Sequence, residues 1–350
     1  MLRNKQTKYL ITGGYGFIGS SLIRLILKNG DIVCNIDKLT YSSNIKSLEN
    51  YPTTNNYTFN KEDVCNEEKL YDIISNYRPQ KIIHLAAETH VDRSIDNPSD
   101  FIETNIIGSY NLLKSSKKYW TSLEDKEKDQ FKLLLVSTDE VYGSLNFDKS
   151  IFTEESSYKP NSPYSASKAA SDLLGRAWFK TYGMPIIITN TSNNYGPWQF
   201  PEKLIPLTIS KCLNQEKIPV YGNGKQVRDW IFVDDHSKGI LSAINNGKIG
   251  EKYNISSKNE LENITVVRDI CNILDRLQPS KNGKYEELIE FVEDRPGHDL
   301  RYALSNQKIS NLGWSPETKW LSGLEETISW YLNNKDFFKN YSSERLGKSV

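Results

Sequence analysis

The chain has 350 residues, and 44 lysines and arginines balance 44 aspartates and glutamates. At about 100–200 residues per domain, this length indicates one large domain or two coupled domains that can bury a substantial core. The balanced charge gives no electrostatic reason to expect binding to nucleic acid or to an acidic membrane, and no apolar run approaches the roughly 20 residues of a membrane-spanning helix.

Short β-type segments alternate with longer helical patterns through the first half of the chain. In order, the β-type segments are KYLIT, DIVCNID, NYTFN, KIIHLAA, KLLLVST and PIIITN. They are apolar throughout, as expected for parallel strands covered on both faces. The intervening segment FIGSSLIRLILKNG has its apolar residues on one helical face and stops at Asn29-Gly30. The alternation predicts an α/β fold, a Rossmann-type doubly wound parallel sheet.

Three glycines lie between the first β-type segment and the first helix. In ITGGYGFIGS, Gly13, Gly16 and Gly19 form a GxxGxxG variant of the dinucleotide-binding pattern. Glycines permit a tight turn and close backbone approach, and the following helix offers free N–H groups to a pyrophosphate. An ordinary glycine-rich turn is the alternative. The strand before and the helix after supply the context that a dinucleotide site requires.

An acidic residue follows where ribose recognition requires one. Asp37 closes the segment DIVCNID, at about the 20-residue spacing from the glycines that dinucleotide sites show. Its carboxylate can bind the ribose hydroxyls and repels a 2′-phosphate, which favours NAD over NADP. A capping aspartate is the alternative. Asp63, after a further β-type segment, is a weaker candidate for contact with the adenine.

The fifth β-type segment ends in two adjacent acids. In LLLVSTDEVYG, apolar residues run into Ser137 and Thr138, and Asp139 and Glu140 follow. One interpretation is that polar residues simply mark the exit of a strand. The other is that this strand carries an acid and a base to a reaction centre.

Tyr164 and Lys168, in SPYSASKAASDLL, are four residues apart and therefore share a face of a helix. A lysine beside a phenol favours the phenolate, which makes Tyr164 a candidate base for a sugar hydroxyl. The spacing alone is uninformative, because five other Tyr–Lys pairs match it and a solvated surface pair is the simpler interpretation: Tyr57/Lys61, Tyr77/Lys81, Tyr110/Lys114, Tyr221/Lys225 and Tyr331/Lys335. Small neighbouring residues, the helix that follows and the preceding Ser137-Thr138 strand end distinguish Tyr164.

The regular alternation fades after about Tyr195, where turn-rich stretches separate shorter elements. We predict that residues 1–195 form the NAD-binding part and that residues 196–350 form mainly a smaller C-terminal substrate-binding part. The segments DHSKGILSAINN and EKYNIS have helix and strand patterns. We therefore expect residues of about 234–257 to return to the main sheet.

Together and in this order, many segments closely resemble the dTDP-glucose 4,6-dehydratase family of the extended short-chain dehydrogenase/reductase superfamily. They are TGGYGFIGS, DKLTYSSN, HLAAETHVDRSI, FIETNIIGSYNLL, STDEVYG, YSASKAASDLL, NNYGPWQFPEKLIP, VYGNGKQVRDWIFVDDH and DRPGHDLRY. Each segment is modest alone, but the ordered set is highly specific. The resemblance extends to about Asn333.

The resemblance implies a lyase that dehydrates dTDP-glucose to dTDP-4-keto-6-deoxy-glucose, a precursor of rhamnose and other deoxysugars, with NAD as a recycled cofactor. It implies that Tyr164, supported by Lys168, takes the proton of the 4-hydroxyl while NAD takes hydride from C4. Glu140 is then the base at C5, and Asp139 is the acid that protonates the departing C6 hydroxyl. Hydride returns to C6, and Thr138 hydrogen-bonds the 4-oxygen.

These roles require one acid protonated and the other ionised, which two nearby carboxyls in a desolvated site can achieve. Neighbours on a regular strand point to opposite faces. We therefore predict that the backbone leaves β geometry around Thr138 to Glu140.

The resemblance also implies ligand-binding positions. For NAD, beside the glycines, Tyr164 and Lys168, they are Phe17, Ile18, Asp37, Lys38, Leu39, Thr40, Asp63, Val64, Leu85, Ala86, Ala87, Glu88, Thr104 and Asn194. For the sugar nucleotide they are Thr89, Thr138, Asn193, Lys203, Leu204, Pro219, Val220, Tyr221, Arg228, Asn263, Asp294, Arg295, Pro296, Gly297 and His298.

Simpler interpretations stand beside some positions. A surface salt bridge is the alternative for Arg228, and a capped surface histidine for His298. His84, within a β-type segment, is expected to be a packed core residue. Asp234 and Asp235 are expected to cap the following helix.

Three rival functions stay open. A 4-epimerase or decarboxylase of the same superfamily shares the glycines, Tyr164 and Lys168, but an epimerase has no need of an acid like Asp139. A related dehydratase would act on UDP- or GDP-sugars. A non-catalytic NAD-binding sensor is a rival from another class, although such proteins usually lose the tyrosine or lysine.

Three further expectations concern the cellular compartment, metal binding and the oligomeric state. The four cysteines are far apart without a CxxC pair, and the N-terminus leaves no room for a signal peptide before the first strand. Both observations favour reduced thiols and a cytoplasmic protein. The four histidines are scattered, so we expect no metal site. The resemblance implies a homodimer.

Overall fold

A computed structural model describes residues 6–49, 51 and 55–339. The strands are β1 (Lys8–Thr12), β2 (Ile32–Ile36), β3 (Tyr57–Asn60), β4 (Lys81–His84), β5 (Lys132–Thr138), β6 (Ile186–Thr191), β7 (Asn193–Tyr195), β8 (Ile218–Tyr221), β9 (Val227–Phe232), β10 (Lys252–Ile255), β11 (Glu260–Glu262) and β12 (Ile289–Val292).

The α-helices are α1 (Phe17–Lys28), α2 (Glu67–Tyr77), α3 (Val91–Asp96), α4 (Pro98–Phe101), α5 (Gly108–Thr121), α6 (Asp125–Lys128), α7 (Pro163–Tyr182), α8 (Leu204–Asn214), α9 (Val233–Asn246), α10 (Asn263–Leu277), α11 (Gln307–Ser310), α12 (Trp320–Asn333) and α13 (Asp336–Lys339). A π-helical segment, Ile102–Ile107, leads into α5, and 3₁₀ helices span Ile45–Leu48, Asp139–Tyr142 and Tyr285–Leu288.

The main sheet has seven strands in the order β10-β6-β5-β4-β1-β2-β3, and every neighbouring pair is parallel. All six predicted β-type segments form strands of this sheet, which confirms the predicted fold class. The order reverses between β1 and β4, and this switch point is where open α/β sheets bind ligands.

Successive residues of one strand pack into different cores. Tyr9 and Ile11 of β1 belong to the cluster beneath α1 and α9, whereas Leu10 belongs to the cluster on the opposite face. Because both faces are covered, the strands need apolar side chains at every position. This requirement explains the uninterrupted apolar runs in the sequence.

The C-terminal half contributes to both parts of the molecule. After α9, strand β10 pairs with β6 at the edge of the main sheet, as expected for the segment of about 234–257. The rest forms a smaller unit with a three-stranded sheet (β11-β9-β7), a two-stranded sheet (β12-β8) and a separate apolar cluster. The exact boundary between the two parts stays a prediction, and residues 340–350 of the predicted C-terminal part lie outside the described residues.

Two expectations about single side chains have different outcomes. His84 is buried between the hydroxyls of Thr12 and Ser109, which confirms that it is a core residue. The capping prediction was wrong: α9 starts after Phe232 without a side-chain cap. Asp235 instead accepts hydrogen bonds from the backbone N–H groups of residues 317 and 318, and Asp234 accepts one from the hydroxyl of Ser21.

Within the described ranges, no helix combines the length and apolar character needed to span a membrane.

Candidate active site

A cavity opens at the carboxyl ends of the central strands and brings together most of the predicted site. Residues of the N-terminal part that line it are Gly13, Gly16, Phe17, Ile18, Gly19, Asp37, Lys38, Thr40, Asp63, Val64, Leu85, Ala86, Ala87, Glu88, Thr89, Thr104, Thr138, Asp139, Glu140, Tyr164, Lys168, Asn193 and Asn194. Lys203 and Leu204 line it from the smaller unit. One continuous cavity therefore joins the predicted cofactor and reaction positions.

The glycine turn brings two strand ends into close backbone contact. Gly13 has φ +74°, and a Cβ atom there would lie 2.7 Å from the backbone nitrogen of Ala86. Helix α1 then begins after Gly16 without a side-chain cap. Its first N–H groups and the positive end of its dipole are available to an anion in the cavity.

Asp37 organises the loop after β2. Its carboxylate accepts the backbone N–H groups of Tyr15 (2.9 Å) and Leu39 (2.8 Å) and the hydroxyl of Ser43 (3.1 Å). The side chain of Leu39 packs against the apolar core and is absent from the cavity lining in the described chain. Lys38 Nζ lies 3.4 Å from Asp63. Asp37, Lys38 and Asp63 therefore lie together in the lining of the cavity.

The chain leaves β geometry immediately after Thr138. Residues Asp139–Tyr142 form a 3₁₀ helix, and the Thr138 hydroxyl accepts the N–H of Glu140 at its start (3.3 Å). Both Asp139 and Glu140 line the cavity. This confirms the predicted departure from strand geometry, because a regular strand would have pointed the two acids to opposite faces.

The two acids differ in their surroundings. Burial raises the pKa of Asp139 well above its usual value, and Glu140 and Asp229 raise it further. In the described structure, Asp139 Oδ2 is buried without a hydrogen-bond partner. Burial also raises the pKa of Glu140, but Arg295 and Arg228 oppose that effect. Of the two acids, Asp139 is therefore the one whose protonated form is favoured more strongly, whereas the arginines make Glu140 the more readily ionised.

Tyr164 and Lys168 lie in the first turns of α7, which begins with a Ser162 capping box and Pro163. Burial raises the pKa of Tyr164, Glu140 adds to the rise, and a hydrogen bond with Thr138 opposes it. Lys168 Nζ donates to the Val136 carbonyl (2.8 Å). The expected balance in favour of the phenolate is therefore not present in the protein alone.

Lys203 and Leu204 line the cavity, whereas the other nucleotide-binding positions predicted in the smaller unit are not among its lining residues in the described chain. Tyr221 Oη and Arg295 both donate to Asp92 at the start of α3 (3.2 and 3.1 Å). Arg228 is buried, donates to the carbonyl of Asp299 and stacks on the ring of Tyr302. A surface salt bridge, the simpler interpretation of Arg228, is therefore wrong.

His298 is similarly enclosed. Its side chain is 6% exposed and lies 2.6 Å from Asp294, and burial lowers its pKa to about 4. Gly297 has φ +66°, which lets the loop turn there. Of the remaining predicted positions, Pro219 and Val220 lie in β8, paired with β12, and Asn263 begins α10. Pro296 lies in the same loop as His298.

Several lining residues had no signal of their own in the sequence. They are Ser42, Ser43, Glu62, Val136, Thr191, Ser192, Gln199, Phe200, Glu202 and Trp230. Glu202 is buried and accepts the Tyr41 hydroxyl (3.2 Å), and burial raises its pKa. Glu202 lies next to Lys203 in the segment NNYGPWQFPEKLIP, and this position was the sequence feature that could have indicated it.

Among the described residues there is no cluster of three or more metal-ligating side chains.

Comparisons with known proteins show which families and structures this chain is similar to. Residues 10–327 match the family model described as GDP-mannose 4,6 dehydratase. The dTDP-glucose 4,6-dehydratase of Neisseria meningitidis serogroup B is 49% identical, covering 97% of this chain and 99% of that protein. Crystal structures of dTDP-glucose 4,6-dehydratases are also similar. The Bacillus anthracis protein in complex with NAD has a TM-score of 0.84 and 41% identity, covering 95% of this chain and 99% of that chain. The Streptomyces venezuelae protein with NAD and TYD bound has a TM-score of 0.86 and 39% identity, covering 95% and 98%.

The parallel sheet, the glycine turn and the Tyr164–Lys168 pair define an extended short-chain dehydrogenase/reductase. Sequence identity to dTDP-glucose 4,6-dehydratases over nearly the whole chain identifies the family within this class. The chain belongs to the dTDP-glucose 4,6-dehydratase family.

Proposed function

We propose that the protein is an NAD-dependent hydro-lyase that converts dTDP-glucose into dTDP-4-keto-6-deoxy-glucose. The observation that carries the proposal is the placement of Asp139 and Glu140, in unlike electrostatic surroundings, in the cavity that also holds Tyr164. Solved structures of dTDP-glucose 4,6-dehydratases that are similar to this chain contain bound NAD. The glycine turn and Asp37 fit this cofactor, because they offer close backbone approach and an acid for the ribose.

When bound, NAD supplies a hydride acceptor for C4 and returns the hydride to C6. Tyr164 takes the proton of the 4-hydroxyl, and Thr138, which hydrogen-bonds Tyr164, holds the 4-oxygen. When NAD is bound, the positive charge of its nicotinamide would oppose the effect of burial on the pKa of Tyr164, as would the positive charge of Lys168. Proton transfer is therefore coupled to arrival of the cofactor and substrate.

Elimination of water uses the two acids of the 3₁₀ helix. Oxidation at C4 acidifies the C5 proton, and Glu140 removes it. When hydride reaches C6, the protonated Glu140 returns a proton to C5. Arg295 and Arg228 favour the ionised form of Glu140. Asp139, kept protonated by burial and by Glu140, protonates the departing C6 hydroxyl. Arg228, Tyr221 and the 294–298 loop receive the nucleotide diphosphate. The buried guanidinium of Arg228 is well suited to bind it.

We further propose a cytoplasmic homodimer. The four cysteines are unpaired, which supports a reducing compartment. Exposed apolar residues on α5, α7 and the preceding π-helical segment support self-association: Ile102, Ile107, Tyr110, Leu173 and Tyr182.

Mass spectrometry of dTDP-glucose incubated with the protein and NAD tests the proposal, with UDP-glucose in parallel. We expect loss of one water from the dTDP-sugar without net formation of NADH. Preference for the UDP-sugar would keep the chemistry and change the nucleotide assignment. An unchanged mass with a new stereoisomer would indicate an epimerase and would overturn the roles of Asp139 and Glu140.

A further inference from the structure

A further buried carboxylate lies one helical turn beyond Lys168. Asp172 is on the same face of α7, since the two residues are four apart. Asp172 is 2% exposed and Lys168 is 5% exposed. The reaction proposed above assigns Asp172 no contact with sugar or cofactor, so its burial beside the site needs a different explanation.

Neutral groups hold the Asp172 carboxylate. Its Oδ2 accepts the hydroxyl of Tyr158 (2.9 Å) and the side-chain amide of Asn190 (3.1 Å). Its Oδ1 is buried and makes no well-formed hydrogen bond among the described residues, although the Ser137 hydroxyl is close enough to help lower the pKa of Asp172. A buried anion without full hydrogen bonding is costly unless an opposite charge lies nearby.

Lys168 supplies an opposite charge near Asp172, and Asp172 also acts on the ammonium group of Lys252. Burial lowers the pKa of Lys168, and Asp172 opposes this. Reciprocally, burial raises the pKa of Asp172, and Lys168 is the first of the groups that oppose the rise. The direct hydrogen bond of Lys168 goes to a neutral carbonyl, that of Val136. Asp172 is thus the carboxylate that compensates the charge of Lys168.

The other titratable groups near this pair do not replace Asp172. His84 on β4 is neutral, because burial and Lys168 lower its pKa to about 3. Lys252 on β10 lies over the ring of Tyr158 and has the same sign of charge as Lys168. The negative charges of Glu140, Asp139 and Asp172 itself raise the pKa of Tyr164. Tyr142 and Glu154 are the other titratable groups that face the Asp172 network.

We infer that Asp172 is a positioning residue whose negative charge keeps Lys168 protonated in the buried site. The inference rests on the proposed function, in which Lys168 binds the cofactor and assists Tyr164. A neutral Lys168 would lose its attraction for the phenolate. Asp172 therefore sets the upper pH at which the first proton transfer can occur.

The test compares pH profiles of kcat/KM for dTDP-glucose in Asp172→Asn and the natural protein. We expect the alkaline limb of the variant to move down by at least about one pH unit, the lower end of the shift caused by a close opposite charge. The alkaline limb of NAD affinity, measured by equilibrium titration, should move in the same direction. An effect on structure alone would lower the rate without moving either limb.

Tyr158→Phe is the matched control, because it removes a hydrogen bond to Asp172 and keeps the charge. Its alkaline limbs should match those of the natural protein. Folded Asp172→Asn with unmoved limbs overturns the inference. If the natural protein does not dehydrate dTDP-glucose, the proposed function fails, and the NAD titration still tests Asp172.

A second variant covers the case in which Asp172→Asn does not fold. Removing both charges, as Lys168→Met with Asp172→Asn, should restore folding if an uncompensated buried lysine causes the defect. Failure of this double variant to fold would show that Asp172 acts through its hydrogen bonds, and the inference would be wrong.

Discussion

At the scale of single residues, the adjacent acids Asp139 and Glu140 have different proposed roles. A variant of Glu140 should separate oxidation at C4 from elimination of water. Glu140→Gln removes the base for C5 and leaves Tyr164 to support oxidation at C4. We expect dehydration to slow by at least about 100-fold, the lower range for a general base, while NADH absorbance rises on mixing with substrate because hydride cannot return. Glu155→Gln, at an exposed position, is the control. Normal turnover by Glu140→Gln would contradict its role.

Protonation of Asp139 should also change how the free energy of unfolding depends on pH. Its pKa is raised in the folded protein, mainly by burial, so the folded state retains a proton that the unfolded state releases. The free energy of unfolding therefore falls as pH rises from the ordinary aspartate pKa of about 3.9 towards the folded value. In Asp139→Asn, which has no carboxyl group at this position, the free energy of unfolding should not fall for this reason.

Urea unfolding at a series of pH values measures the difference. We expect Asp139→Asn to gain stability relative to the natural protein as pH increases across this window. Asp148→Asn is a control at an exposed position. A constant difference between Asp139→Asn and the natural protein would show that Asp139 is not protonated in the folded state.

The sequence could predict some of these residues better than others. Asp139 and Glu140 follow directly from a strand end, so local pattern and family resemblance located them. The enclosure of Arg228 depends on Tyr302 and Asp299, more than 70 residues away, and no local pattern reports it. The phenol of Tyr164 was expected to be acidified by Lys168, but burial outweighs that effect in the protein alone.

At the scale of elements, two glycines with positive φ provide a matched test of the cofactor turn. A Cβ at Gly13 would lie 2.7–2.9 Å from backbone atoms of residues 85 and 86, whereas a Cβ at Gly30 would have nothing within 4 Å. Gly30→Ala should therefore cost only about 1–2 kcal/mol of backbone strain. Gly13→Ala should cost more and should weaken NAD binding by at least tenfold, because two strand ends must separate.

Thermal unfolding and NAD titration of both variants measure these effects. Equal losses of stability in the two variants, with NAD affinity unchanged in Gly13→Ala, would show that the close approach of β1 and β4 is unimportant for the cofactor.

The elements differ in how far sequence determines them. The strands of the main sheet are predictable because burial on both faces requires uninterrupted apolar runs. Strands β7 and β11 have three residues each and no apolar run, and their pairing with β9 depends on tertiary structure. The 3₁₀ helix after β5 was predicted as a departure from strand geometry only because both acids were required in one cavity.

At the scale of the whole molecule, contacts between the two parts assemble the site. Asp92 on α3 accepts hydrogen bonds from Tyr221 on β8 and from Arg295 in the loop after β12. These partners are more than 120 residues apart in sequence. Such pairings are set by the packing of the two units, and sequence pattern alone gave no indication of them.

The surface formed by α5 and α7 should determine the oligomeric state. Ring contacts link Tyr110 on α5 to Trp178, and Trp178 to Tyr182, at centroid distances of 5.9 and 5.6 Å. Leu173, 57% exposed, lies on the same helix as Trp178. An apolar surface across two neighbouring helices can form a self-complementary interface about a two-fold axis.

Leu173→Asp should convert the proposed dimer into a monomer, because the interface would then bury an unpaired charge. Leu321→Asp on α12 is the matched control, since Leu321 is 58% exposed and belongs to the smaller unit. Size-exclusion chromatography with light scattering distinguishes the states. A dimer that persists in Leu173→Asp, or one that dissociates equally in Leu321→Asp, would exclude the α5–α7 surface as the interface. Loss of the dimer in Leu173→Asp alone, with NAD affinity retained, would show that the cofactor site is complete within one subunit.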